Sequence, residues 1–203
     1  MNSVAFMGIK GGNGSTTSAH LCCLGAAWSN RPSYFLHTDM REPAQVDNKR
    51  PYKYLDAREV NYLTETFNKL TEASGDHLVV VDSGGNRPKF DEWIAKAVDL
   101  VIIPTDLDPE SVKLAVQHAE NLKDKSEVKI LVRGALKLGK HDQEIFERIP
   151  SELLLGKVPV VKASSGLKGD DDNGWSTPET KVNNLARSVH GLVFDYFNPP
   201  IRL

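Results

Sequence analysis

Residues Ser3–Thr17 read SVAFMGIKGGNGSTT, and this stretch decides the fold. Ser3–Gly8 is a short apolar run of strand character. It is followed at once by a glycine-rich turn and then by the apolar segment Thr16–Trp28, which has the length and composition of a helix. Strand, glycine turn and helix in that order form the context of a phosphate-binding loop. Gly11, Gly12 and Gly14 permit tight backbone turns and leave room for phosphate oxygens. Backbone N–H groups of Gly11 through Thr17, with Asn13 between the glycines and Ser15 after them, then face an anion at the head of the helix. Thr16 is placed to offer its hydroxyl to Mg²⁺.

Working outward, apolar runs alternate with helix-like segments. Strands are expected at Ser33–Thr38, His77–Asp82, Leu100–Pro104, Val128–Val132 and Lys157–Val161. Helices are expected at Val60–Ala73, Phe90–Val98, Pro109–Leu122, His141–Ile149 and Thr177–Phe197, the last capped by Thr177 ahead of Pro178. Strands that are apolar throughout and alternate with helices predict an α/β fold: a mostly parallel sheet with helices on both faces. Ligands bind such sheets at the carboxyl ends of the strands, where most of the polar segments fall. One domain over residues 1–203 is the expectation, large enough for a core without disulfide or metal staples. Ser164–Trp175, rich in Gly, Ser and Asp, reads as a connecting loop.

The composition is that of an ordinary globular protein, with a formal net charge of -2 that gives no global case for nucleic acid or membrane. The N-terminus lacks a basic leader and no segment has the length of a membrane span, so a cytoplasmic protein is expected. Cys22 and Cys23 are adjacent within a helical run and point apart, so they read as small buried hydrophobes. The other reading, half of a metal cluster shared at a dimer seam, lacks a second ligand pair in the chain. The six histidines are scattered without metal-ligand spacing.

Lys10–Thr17, KGGNGSTT, resembles the deviant Walker A box KGGxGKTT of the ParA/MinD ATPases, closest to the short plasmid-partition ParA proteins. Lys10, Gly11, Gly12, Gly14, Thr16 and Thr17 match; Ser15 stands where the family has the lysine that contacts the β- and γ-phosphates. The resemblance implies ATP or ADP with Mg²⁺ as the ligand, bound over Gly11–Thr17. It also implies that Lys10 reaches across a nucleotide-dependent homodimer. Thr38–Gln45, TDMREPAQ, is similar to the family's D-x-D-P-Q segment: Asp39 takes the first acid's place, Arg41 the second's, and Glu42 is a displaced acid. Asp39 and Glu42 are thereby candidates, with Lys10, for the catalytic set. Leu78–Gly85 ends in VVVDSGG, a Walker B pattern whose Asp82 joins Thr16 and Asp39 in holding the metal. Ala97–Ser111 is similar to the fourth-strand region of the short ParA proteins, and Val160–Lys168 matches the adenine loop in position.

Without the cation of Ser15's usual occupant and with arginine at position 41, hydrolysis is expected to be weak or lost. The functional expectation is a ParA-like switch for plasmid partition, DNA segregation or cargo positioning, acting with an adaptor or cargo protein. Nonspecific DNA is a further expected ligand, because residues 123–168 carry ten basic and six acidic side chains. Membrane is not, because the C-terminal segment DYFNPPIRL lacks a lysine-rich polar face. The alternative is a non-hydrolysing interaction protein of plasmid maintenance or conjugation on a degenerate phosphate-loop fold. A small-molecule ligase on the same fold would need the phosphate lysine that is missing.

Overall fold

The computed structural model describes residues 1–40, 49–84, 87–168 and 176–199. Seven strands form one sheet: β1 (Asn2–Met7), β2 (Ser33–His37), β3 (Lys53–Asp56), β4 (Leu78–Ser83), β5 (Leu100–Asp106), β6 (Val128–Arg133) and β7 (Leu154–Val158). Their spatial order is β3-β2-β4-β1-β5-β6-β7 and every pairing is parallel. Parallel neighbours require crossovers, and six α-helices supply cover. These are α1 (Ser15–Trp28), α2 (Val60–Glu72), α3 (Pro88–Ala97), α4 (Pro109–Leu122), α5 (Lys140–Phe146) and α6 (Thr180–Phe197).

The period-two alternation of the strands divides the core in two. Val4, Phe6, Val80, Leu100 and Ile102 face α1 and α6. Ala5, Met7, Val81, Val101 and Ile103 face α2, α3, α4 and α5. Both faces of the central strands are buried, which is why these segments read as unbroken apolar runs.

Helix α1 is buried from Ser15 to Ala26 apart from Thr16 and Thr17, because it lies between the sheet and α6. Gly25 makes that packing close. A Cβ there would come within 2.2 Å of the Ala186 carbonyl oxygen and 2.6 Å of His190 Cβ. His20, also on α1, stacks on Phe35 of β2 with ring centroids 4.1 Å apart. Its Nδ1 lies 2.8 Å from the Tyr52 hydroxyl. Cys22 and Cys23 are free and fully buried on α1, as small core residues, and burial pushes the Cys22 thiol up to about 12.

One strand is added and three expectations are corrected. β3, Lys53–Asp56, has no apolar run to announce it, because an edge strand need not be apolar on both faces. The last strand is Leu154–Val158 rather than Lys157–Val161, its register interrupted between Ile130 and Leu131 of the neighbouring strand. The short helix covers Lys140–Phe146 rather than His141–Ile149. The terminal helix starts at Thr180 with Glu179 at its N-cap, so Thr177 is not the cap; Asn183 Nδ2 donates instead to the Pro178 carbonyl. Residues 162–168 form a 3₁₀ segment, and the rest of the expected loop, 169–175, lies outside the described residues.

Gly25→Ala gains about 1 kcal/mol of helix propensity but places a methyl against a backbone carbonyl. Overpacking of that kind costs about 1–3 kcal/mol, and here the carbonyl cannot rotate away. A net loss is expected, seen as a melting temperature lower by several degrees in calorimetry. Both thiols should resist iodoacetamide at pH 8 in the folded protein and react fully in urea.

Candidate phosphate and metal site

β1 ends at Met7, and the chain turns through residues 8–14 before α1 begins at Ser15. Two of the turn glycines use their freedom: Gly12 has φ 93° and Gly14 φ 75°, a region that strains any residue with a Cβ. Gly14 is also the N-cap of α1. No side chain caps the helix and no acidic residue lies in its first turn. Among the described residues, the first-turn amides and the positive end of the helix dipole therefore have no capping side chain. Around Gly11 and Gly12 a Cβ would meet nothing within 4 Å, so there is open space beside the loop. Asn13 is 2% exposed and its Nδ2 has no hydrogen-bond partner. Thr16 and Thr17 are half-buried at the start of the helix.

Ser15 is 8% exposed, and its Oγ lies 2.9 Å from the position a Cβ on Gly8 would take. Its short side chain is thus turned toward the base of the loop. Lys10 is exposed, with Nζ 3.9 Å from Glu110 Oε2, a pair too open to water to fix either side chain.

The sheet brings the acids to this loop. Register pairs Phe6 of β1 with Asp82 of β4, and His37 of β2 with the same Asp82. Asp82 is fully buried and neither carboxylate oxygen has a hydrogen-bond partner. His37 Nδ1 stands 3.5 Å from Oδ2. A buried carboxylate in that state costs several kcal/mol unless a cation or ordered water completes it. Asp39 follows β2, is 6% exposed, and packs its carboxylate on Gly84: a Cβ there would meet the carboxylate atoms at 2.6–2.9 Å. Only glycine at position 84 lets that carboxylate reach the end of β4. Glu42, Arg41, Pro43 and Gln45 lie outside the described residues.

Among the described residues, no three His, Cys, Asp or Glu side chains group to cage a metal. Mg²⁺ does not need such a cage, since it binds through one or two carboxylates, phosphates and water. The Asp82 carboxylate without a hydrogen bond, the uncapped helix and the open space at Gly11 and Gly12 fit a magnesium-bound phosphate chain.

Sequence reasoning had counted Arg133 only among surface basic residues. It is the last residue of β6, paired in register with Asp106, and its guanidinium lies against Gly14. Its position at a strand's carboxyl end was the available signal. The other basic residues of the 123–168 region are spread out. Lys123 pairs with Glu120, Lys125 Nζ donates to Glu92, and Lys129 and Lys157 Nζ donate to the carbonyls of Glu152 and Leu136. Lys137, Lys140, Arg148 and Lys162 are exposed. No described helix is long and apolar enough to cross a membrane.

No protein-family model matches this chain, and no curated protein matches its sequence. Solved structures do match its fold. The MinD cell division protein of Aquifex aeolicus superposes with a TM-score of 0.67 at 14% identity, over 100% of this chain and 99% of that one. The septum site-determining protein MinD from Pyrococcus horikoshii, complexed with Mg-ADP, gives 0.68 at 13% identity, over 100% and 99%. A plasmid partition protein from Borrelia burgdorferi bound to AMPPNP gives 0.65 at 12% identity, over 97% and 98%. At these identities the likeness establishes architecture: the chain has the fold of the MinD and ParA ATPases.

Proposed function

We propose that this protein is a nucleotide-binding switch of the ParA type, with weak ATP hydrolysis, that positions DNA or another cargo. The observation that carries the reading is the pairing of an uncapped glycine turn at the head of α1 with a fully buried Asp82, one strand away, whose carboxylate accepts no hydrogen bond. Solved structures of the same fold hold Mg-ADP or AMPPNP, which supports the choice of ligand.

In this reading the amides of Gly11–Thr17 bind the phosphates, with the Asn13 side-chain amide buried in the same turn. The Thr16 hydroxyl, Asp82 and Asp39 hold Mg²⁺, the acids through water. When bound, Mg²⁺ neutralises charge on the β- and γ-phosphates. Lys10 is exposed and its contact with Glu110 is long and open to water, so its side chain can swing to a partner protomer's nucleotide in a homodimer. Glu42 remains the proposed acid for aligning water.

Ser15 limits the chemistry. A lysine 4 Å from a phosphate oxygen contributes roughly 4 kcal/mol at an effective dielectric of 20. Losing that in the transition state is worth about three factors of ten in rate. Ground-state binding survives on backbone amides, which no substitution at position 15 removes. A cytoplasmic location, an adaptor or cargo protein, and nonspecific DNA bound through Lys137, Lys140, Arg148 and Lys162 complete the proposal. The second reading, a non-hydrolysing interaction protein of plasmid maintenance or conjugation on a degenerate phosphate-loop fold, is favoured by the same Ser15 and differs in lacking ATP-dependent retention of DNA.

Calorimetry should show Mg-ATP binding to the purified chain. Phosphate release should run at least 10²-fold below the usual enzymatic range of about 1–10³ s⁻¹. Absence of binding would remove the switch; turnover within that range would remove the assigned effect of Ser15. ATP-dependent retention of DNA would favour partition over the accessory reading. In Asp82→Asn, the gain in ATP affinity on adding Mg²⁺ should disappear, while the nucleotide-free protein melts little lower, because the carboxylate accepts no hydrogen bond and stands 3.5 Å from His37. A large fall in melting temperature would instead make Asp82 a structural residue.

A further inference from the structure

We propose that Arg133, projecting from the end of β6, supplies the cationic side chain that the phosphate loop lacks at position 15. The proposal rests on the nucleotide-binding reading and deepens it by naming the residue that meets the anion.

Arg133 Nη1 lies 1.6 Å, Cζ 2.3 Å and Nε 3.0 Å from the point where a Cβ on Gly14 would sit. The guanidinium therefore rests in the space that glycine leaves open, against the residue that caps α1. Nη1 is buried and donates no hydrogen bond. Nε stands 3.9 Å from Asp106 Oδ1, and that carboxylate is 44% exposed, so the neutralising contact is long and hydrated. A guanidinium is always charged, and leaving one of its nitrogens buried without an acceptor is costly. An anion over the loop would supply the acceptor, and a forked guanidinium suits phosphate oxygens.

The flank from which the charge arrives sets what it does. In the sheet order β4-β1-β5-β6, Asp82 lies on one side of the loop's strand and Arg133 on the other. The metal-binding acids approach from the β4 side, so Arg133 meets the phosphate chain away from them. It binds phosphates common to ADP and ATP rather than charge developing at the γ-phosphate. Its contribution is affinity, where the family's lysine also contributes rate.

The test is calorimetric titration of the full chain with Mg-ADP and Mg-ATP. Arg133→Gln should weaken both nucleotides by the same factor, about 10- to 100-fold, the size of a charge-assisted hydrogen bond. Arg133→Lys should recover part of the loss. Adding Ser15→Lys to Arg133→Gln should recover affinity by returning the charge to the helix. Raising KCl should shrink the wild-type advantage over Arg133→Gln. Wild-type binding with no loss in Arg133→Gln would overturn this role and leave the nucleotide reading standing. Equal loss in the Gln and Lys variants, accompanied by a lower melting temperature and no rescue by Ser15→Lys, would make Arg133 a brace for Gly14. Wild-type protein that binds neither nucleotide removes both.

Discussion

Helix α1 must be buried on nearly every side and still keep its N-terminal amides open. Burial would ordinarily require each of those amides to find a partner. Here the glycine turn leaves the helix without a side-chain cap, and the rest of the chain is arranged around that opening. The far end of the helix carries the compensating packing. Gly25 lets α6 approach to backbone contact, His20 stacks into the Phe35, Tyr52 and Tyr54 cluster, and the Ser33 hydroxyl donates to the Cys23 carbonyl. The helix is thereby fixed by its body and not by its head, which leaves its head available to an anion.

The same logic governs the charged groups at the strand ends. Asp82 and Arg133 are each incompletely partnered, and they lie on opposite flanks of β1. A stability-optimised protein would join such charges or replace them. Keeping them apart leaves electrostatic cost at one edge of the sheet, which the proposed ligand, carrying both a cation and phosphates, would relieve. The glycines at 14 and 84 are the steric counterpart. Each admits a charged side chain, Arg133 or Asp39, to a place that a Cβ would close.

Much of this was legible in the sequence. The strands β1, β4 and β5 are unbroken apolar runs, and the turn between β1 and α1 declared itself by its glycines and by the strand and helix on either side. β3 was not legible, because Lys53 and Asp56 end a four-residue edge strand that buries little. The start of α6 was misjudged because Thr177 followed by Pro178 has a capping composition, whereas the chain stays non-helical until Thr180. At the site, Asp39 and Asp82 could be picked out by their places after strands. Arg133 could not be assigned to the loop, since 119 residues separate it from Gly14 and only the crossover order of the sheet brings β6 within reach. A basic residue at a strand end carries no local mark of what it will touch.

Substitution of one loop residue need not abolish binding, because the phosphate site is built from separable parts. Backbone amides and the helix dipole depend on the glycine turn and not on side chains. In the proposed site, metal coordination would depend on Asp39, after β2, and Asp82, near the end of β4. Only the cation depends on a single side chain, and a cation can enter from any strand whose end borders the loop. What cannot be moved so freely is the position of charge relative to the γ-phosphate, since transition-state stabilisation falls off with misplacement far faster than ground-state attraction does. Under the proposed reading, a chain with serine at position 15 and arginine at position 133 would keep the features needed to hold a nucleotide and lack the one placed to accelerate its cleavage.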